Sequence, residues 1–253
     1  QAVPGLAVVA DPYRLVPEAT THERGRVSPY RFKVVADDGE TVHDFDIEHE
    51  RRMHLIVVRR DFASFQHLHP EQVSDGSWQT DLELNEGGVY RVFADFATGG
   101  RSLTLATDLF VAGAFDPVPL AAPEASAEVG GGYEVTLDSA APSSGSTNPA
   151  RFTVSRDGRK LDSVEPYLGA DGHLVALREH DQAFLHTHPQ GEPGGPGPIS
   201  FAVEYPSAGR YRLFLQFKHR GEVRTAAFTE EVDQPGISGG SVASAEEADH
   251  AGH

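Results

Sequence analysis

The chain has 253 residues, enough for one large domain or two of ordinary size, and its 39% hydrophobic and 23% charged content is that of a soluble globular fold. Its 38 acidic residues against 21 basic give a net charge of −17, which repels phosphate backbones and anionic lipid and argues against a nucleic-acid partner. The absence of cysteine excludes disulfides, thiolate metal sites and thiol nucleophiles, and no apolar run is long enough to span a bilayer.

The sequence opens on Gln1 without an initiator Met, which predicts a trimmed, exported chain whose signal or lipid anchor has been removed. An extracellular or periplasmic, cell-envelope location is the corresponding expectation. Short segments rich in Val, Leu, Phe, Tyr and Thr then recur between turn residues: "YRFKVVAD", "HLIVVRR", "SWQTDLEL", "GVYRVFADF" and "SLTLATDLFVAG". A Pro/Ala/Gly-rich stretch follows, and the series is written again as "ARFTVSRD", "HLVALRE", "ISFAVEYP", "GRYRLFLQF" and "EVRTAAFTEEV". Asp38-Gly39 and Asp157-Gly158 fall at matching places and predict tight turns. No segment carries a capped apolar period of 3.6, and about seven short strands per repeat predict an all-β chain. The expected architecture is two tandem antiparallel β-sandwich domains of immunoglobulin or cupredoxin type, produced by internal duplication. The first repeat spans 1–114, a linker 115–132, the second repeat 133–233, and a disordered acidic, histidine-containing tail 234–253.

The duplication is sharpest at "HLIVVRRDFASFQHLHP" and "HLVALREHDQAFLHTHP", where His54/His173, His67/His186 and His69/His188 are each displaced by 119 residues. Side chains alternate along a strand at a rise of ~3.3 Å, so the two histidines of HxH share a face about 6.6 Å apart. With a turn near Asp61 to Ser64, residues whose numbers sum to roughly 121 or 123 face each other, which puts His54 across from His67 or His69. An even sum, or a bulge, would break the cluster.

Three neutral imidazoles on a rigid hairpin are ligands for Cu(II) or Zn, with room for a water or a fourth ligand. His54, His67 and His69 in one repeat, and His173, His186 and His188 in the other, are the candidate metal ligands. A blue-copper centre needs a cysteine the chain lacks, and its one methionine, Met53, cannot make a thioether-rich Cu(I) site. Met53 and His49 lie nearby but match Gly172 and Leu168, so they carry less weight. Asp46 and Glu165 keep a carboxylate in both halves that would orient a ligand histidine or serve as an ordinary surface acid. A lone HxH is more often a hydrogen-bonded pair than a metal site. Recurrence of all three positions among diverged neighbours shifts the weight toward metal, while apolar Ile56 and Val58 on the same face keep open a buried histidine network pinning the hairpin to its sandwich. Tyr90 and Tyr211 are expected at sandwich corners, Arg59 and Arg178 in a turn salt bridge or carbonyl contact, Trp78 in the core, and His180 and His219 at the surface. His250 and His253 belong to the tail.

The stretches "YLGADGHLVAL", "FLHTHP" and "GRYRLFLQF" resemble bacterial secreted or lipid-anchored β-sandwich proteins associated with heavy-metal and copper handling. The resemblance covers most of the second repeat and the first more loosely, where "DIEHERRMHLIVV" departs from the Tyr-Leu-Gly-Ala pattern. It implies an exported metal-associated protein using His173, His186 and His188, with His54, His67 and His69 as their equivalents.

Three classes of function follow. The first is a non-catalytic binding protein that buffers or delivers Cu(II) or Zn, through one site per repeat or one shared site. The second is a cupin-like or copper-oxygenase metalloenzyme, which Glu192 matches only in part and Gln1, standing where a histidine brace needs His, does not match. The third is a non-metal module whose loops or edge strands meet another envelope protein and whose histidines are structural. No catalytic residue is assigned.

Overall fold

The computed structural model describes residues 3–10 and 12–235, and every regular element among them is a β-strand. The tail from 236 onward, with His250 and His253, lies outside the described residues. The first repeat holds β1 (Val9–Ala10), β2 (Tyr13–Pro17), β3 (Thr21–His22), β4 (Ser28–Val35) and β5 (His54–Arg59). It continues with β6 (Phe65–Leu68), β7 (Glu71–Gln72), β8 (Trp78–Leu82), β9 (Gly88–Thr98) and β10 (Arg101–Val111). The second repeat starts inside the stretch expected as linker, because β11 (Ser126–Glu128) pairs with β12 (Tyr133–Ser139) as an edge strand, and it continues with β13 (Thr147–Arg156), β14 (Arg159–Lys160) and β15 (Gly172–Arg178). It ends with β16 (Phe184–Leu185), β17 (Thr187–Gln190), β18 (Ile199–Glu204), β19 (Gly209–His219) and β20 (Glu222–Val232).

Each repeat is a two-sheet sandwich. In the first, sheet β1-β2-β4-β8-β7 faces sheet β3-β10-β9-β5-β6; in the second, β11-β12-β13-β18-β17 faces β16-β15-β19-β20. Alternation along the strands fills each core, with Leu15, Phe32, Leu55, Trp78 and Phe96 in one and Phe152, Leu174, Phe201, Phe217 and Phe228 in the other. Asp157 and Gly158 close the β13–β14 hairpin with positive φ of 50° and 74°, as a two-residue turn requires. Tyr90 and Tyr211 donate their hydroxyls to the carbonyls of Glu86 and Ser207 at 2.9 and 2.8 Å, the expected corner role. Arg59 pairs with Asp61 and Arg178 with Asp181. The carboxylates of Asp46 and Glu165 do not orient histidines: they accept from the amides of Gly100 and Gly221 at 3.0 Å, holding the β9–β10 and β19–β20 turns.

The sheets carrying β5 and β15 are covered on both faces. All six residues of β5 are buried, because Leu55 and Val57 enter the first core while Ile56 and Val58 enter a third cluster with Phe93, Val175, Leu177, Phe184 and Phe214. That third cluster joins the two repeats, and its contacts come in matched pairs. Phe65 of β6 stacks on Phe214 of β19 at 4.1 Å, and their equivalents, Phe184 of β16 and Phe93 of β9, meet at 5.5 Å. Two copies of one face thus pack about a local two-fold, the isologous arrangement usual between identical subunits. Because β5 and β15 place every second residue on this face, His54 and His173 lie at the joint.

Candidate metal centre between the repeats

The β5–β6 register is the odd one expected, pairing Leu55 with Leu68 and Ile56 with His67, so numbers summing to 123 face each other. His54, His67 and His69 therefore share the inter-repeat face, with one nitrogen from each ring within 4.8 Å of the others. His173 joins them from the second repeat. Its ring lies 4.6 Å from that of His67 and stacks on that of His54 at 5.5 Å and 5°. His49 adds a fifth imidazole, 6.1 Å from His54 and 5.8 Å from His173. A tight hairpin tip places it there: Glu48 and Arg51 exchange backbone hydrogen bonds, and His49 and Glu50 take positive φ of 48° and 64°. Met53 is buried in the first core, away from this face.

The second repeat does not repeat the cluster. β15 pairs with β16 only through Leu177–Phe184 and Ala176–Leu185, and the chain then crosses to β18 as β17. The cause is local. Where the first repeat has Leu68 opposite Leu55, the second has Thr187, whose hydroxyl donates to the Leu174 carbonyl at 2.7 Å and takes the acceptor that a continued strand would have used. The expected trio of His173, His186 and His188 is thereby split: His173 goes to the joint, His186 turns toward Thr104 of the first repeat, and His188 lies exposed on β17. A three-histidine cluster in each repeat is replaced by one cluster shared between them.

Hydrogen bonds fix the tautomers. The Glu48 carbonyl accepts from His54 Nε2 at 3.1 Å, so Nδ1 of the neutral ring is the lone-pair nitrogen. Gln216 Oε1, from β19 of the second repeat, accepts from His67 Nδ1 at 2.7 Å, which leaves Nε2 as that ring's lone pair. His54 Nδ1 and His67 Nε2 then face one another 3.0 Å apart. His69 Nε2 is buried with no hydrogen-bond partner among the described residues. Two facing lone pairs repel unless a cation lies between them. A proton is a poor one here, because burial, reinforced by His54 and His69, pushes the His67 pKa down to about 3. Burial likewise lowers His69 to about 4 and holds His54 and His173 below the ordinary histidine range.

The arrangement fits a divalent ion. Zn–N bonds of ~2.0–2.1 Å in tetrahedral geometry set ligand nitrogens about 3.3 Å apart. The His54–His67 pair is already near that spacing, and His69, part-exposed, is the ring free to close the remainder. Outer hydrogen bonds from ligand rings to a carbonyl and an amide oxygen are what metal-bound histidines use to hold their orientation. Sequence reasoning missed Gln216. Its signal was the pairing of "HLVALRE" with "GRYRLFLQF", which sets Gln216 opposite His173 on the same face. Gln216→Leu is expected to weaken zinc binding ~10–100-fold by freeing the His67 ring. Competition against a chromophoric chelator measures this, and an unchanged affinity would show that the amide does not orient the ring.

A family model described as a domain of unknown function (DUF8832) matches residues 8–113 and again 127–234. No curated protein matches the sequence. Among solved structures, the Escherichia coli adhesin FdeC aligns over 89% of this chain and 65% of its own at 13% identity and a TM-score of 0.30. Escherichia coli α-2-macroglobulin aligns over 88% and 20% at 11% identity and 0.30, and domains 5–6 of the S-layer protein SbsC over 87% and 96% at 10% and 0.27. The chain thus spans less than two thirds of the first of these structures, and at such scores the likenesses carry no argument about function.

Proposed function

The chain belongs to the DUF8832 family, carrying its domain twice, and we propose that it is a transition-metal-binding protein holding one Zn(II) or Cu(II) ion where its two sandwiches meet. The observation that carries this reading is the pair of lone-pair nitrogens, His54 Nδ1 and His67 Nε2, fixed face to face at 3.0 Å by outer acceptors from two different repeats. His69, whose Nε2 has no hydrogen-bond partner among the described residues, is the third ligand, and His173 is the fourth. All four are neutral at pH 7, the state a metal requires, and four nitrogens without thiolate or carboxylate suit Zn(II) or Cu(II) over Mg(II) or Ca(II). The rings are held by a backbone carbonyl and a side-chain amide, as in a site that keeps an ion in place, so binding, buffering or delivery of the ion is favoured over turnover. Export to the cell envelope, implied by the resemblance of the HxHP stretches to metal-handling proteins, completes the reading.

A second reading has its own observation. His54 is 2% exposed and stacks flat on His173, which is how a buried aromatic pair would pin two domains without metal. The protein would then be a two-sandwich envelope module meeting a protein partner through its loops or edges. Elemental mass spectrometry of untagged protein, followed by zinc and copper titration, separates the two. One tight equivalent per chain supports the metal reading; none at micromolar free metal overturns it in favour of the second.

A further inference from the structure

The likeness between the repeats fails again at the outer edges of β10 and β20. In the first repeat that edge is covered. Residues 4–7 run alongside β10 in the parallel sense, with the Gly5 amide donating to the Thr104 carbonyl at 3.1 Å and the Ala106 amide donating to the Ala7 carbonyl at 2.9 Å. Arg91 of β9 clamps this strap: Nη2 donates to the carbonyls of Gly5 at 3.0 Å and Leu6 at 2.8 Å, while Nη1 pairs with Asp108. Gly5 makes the close approach possible. Its φ is 71°, and a Cβ there would lie 2.7 Å from Phe184 Cβ and 2.8 Å from the Phe93 ring.

The second repeat has the same parts without the cover. β20 begins at Glu222 where β10 begins at Arg101, so Thr225, Ala227, Thr229 and Arg212 stand where Thr104, Ala106, Asp108 and Arg91 stand in the first. The segment that answers to the strap reads Val118-Pro119-Leu120 against Val3-Pro4-Gly5. Leu120 cannot approach the sheet as a glycine does. It packs against the third cluster instead, and no backbone hydrogen bond joins this segment to β20 among the described residues. The carbonyl of Thr225 and the amide of Ala227 are thereby left open. Arg212 gives Nη1 to Thr229 Oγ1 at 3.1 Å, and its Nη2 has no carbonyl to hold among the described residues. A cavity of about 530 Å³ is lined jointly by the linker, at Ala121 and Ala122, and by β20, at Ala227 and Thr229.

We propose that the open edge of β20 receives an extended, basic segment of a partner protein, paired with it as residues 4–7 pair with β10. An unpaired edge is completed by a strand that supplies the missing main-chain bonds. The rim sets the chemistry of the occupant. Glu124, Glu128 and Glu134 line the cavity together with Arg212, and Thr229 stands in place of the carboxylate of Asp108. Backbone carbonyls suit the Arg212 guanidinium, lysine or arginine at either end suits the glutamates, and small residues suit the crossing itself. Burial lowers the Arg212 pKa, a cost that carbonyls laid against Nη2 offset. A second copy of this chain fits poorly, because residues 1–8 carry no basic side chain and copies of net charge −17 repel. The site does not depend on an ion at the joint.

The probe is a labelled peptide of the strap sequence VPGLAV with two lysines added at each end. Its fluorescence anisotropy is followed against the full chain, Arg212→Ala and Ala227→Pro. Proline is tolerated on an edge strand where the amide it removes faces outward, and melting temperatures check both variants. Expected are saturable micromolar binding to wild type, binding roughly tenfold weaker in either variant, the worth of one or two hydrogen bonds, and slowed exchange of the Ala227 amide when peptide is added to wild type. The exchange measurement needs no substitution, so it decides alone if a variant fails to fold. Binding that neither substitution weakens overturns the proposal, because it is then adsorption to an acidic surface. Absence of saturation at millimolar peptide overturns it as well. An Ala227 amide already protected in the free protein does the same: protection that grows with concentration assigns the edge to a second copy, and protection independent of concentration assigns it to the linker.

Discussion

His67→Ala is expected to abolish the metal-dependent part of the stability of this protein while leaving a folded chain. His67 is the ring whose Nε2 faces His54 and whose Nδ1–H is tied to the second repeat through Gln216, so it couples both partners of the centre. With free zinc a thousandfold above its dissociation constant, the wild type gains about 4 kcal/mol of unfolding free energy by mass action, and the variant should gain almost none. Its effect without metal is expected to be small, because removing the ring also removes the repulsion between the two lone pairs. The competing reading makes the opposite forecast. If the histidines are a metal-free pin between domains, His67→Ala lowers stability by about 1–3 kcal/mol through the stranded Gln216 acceptor and the lost packing, equally with and without zinc. Urea unfolding of both proteins, with zinc and with a chelator, gives four curves that fit only one forecast.

Part of this centre was legible in the sequence. A period of two and a turn near Asp61–Ser64 put His54, His67 and His69 on one face provided the pairing sum is odd, and the observed register is odd. The face itself was not legible as an interface. The sign was present in "HLIVV", where Leu55 and Val57 alternate with Ile56 and Val58: a strand apolar on both sides needs cover on both, and in a duplicated chain the second copy is the nearest cover. The split of the second trio was hidden in one residue, since Thr187 in place of Leu68 converts a pairing position into a side chain that takes the Leu174 carbonyl. Composition and spacing do not reveal which of two acceptors a backbone carbonyl will lose. The carboxylates of Asp46 and Glu165 illustrate the same limit, because their recurrence marks hairpin turns as readily as histidines.

Acid should weaken the metal-free protein well before its carboxylates titrate. His54, His67, His69 and His173 all have folded-state pKa values depressed by burial, with His67 at about 3 and His69 at about 4. An unfolded imidazole takes up its proton near pH 6.5, and the folded ones do not follow until several units lower. The sign is therefore fixed: the stability is fully present above pH 6.5, falls as pH drops toward 3–4, and levels off below. For His67 alone the loss at pH 5 is about 2 kcal/mol; His69, part-exposed, adds less, and His54 and His173 act in the same direction. The paired carboxylates Asp61 and Asp181, also depressed, begin to matter only near pH 4, so the interval from 6.5 to 5 belongs to the histidines. Urea midpoints at pH 7.5, 6 and 5 in chelator should fall steeply for the wild type and much less for His67→Gln/His69→Gln. An equal slope in the double variant would mean that these rings are not buried neutral. The same protons compete with the ion for the same lone pairs, so the joint between the repeats should hold its metal at neutral pH and release it over the interval in which its apo form weakens.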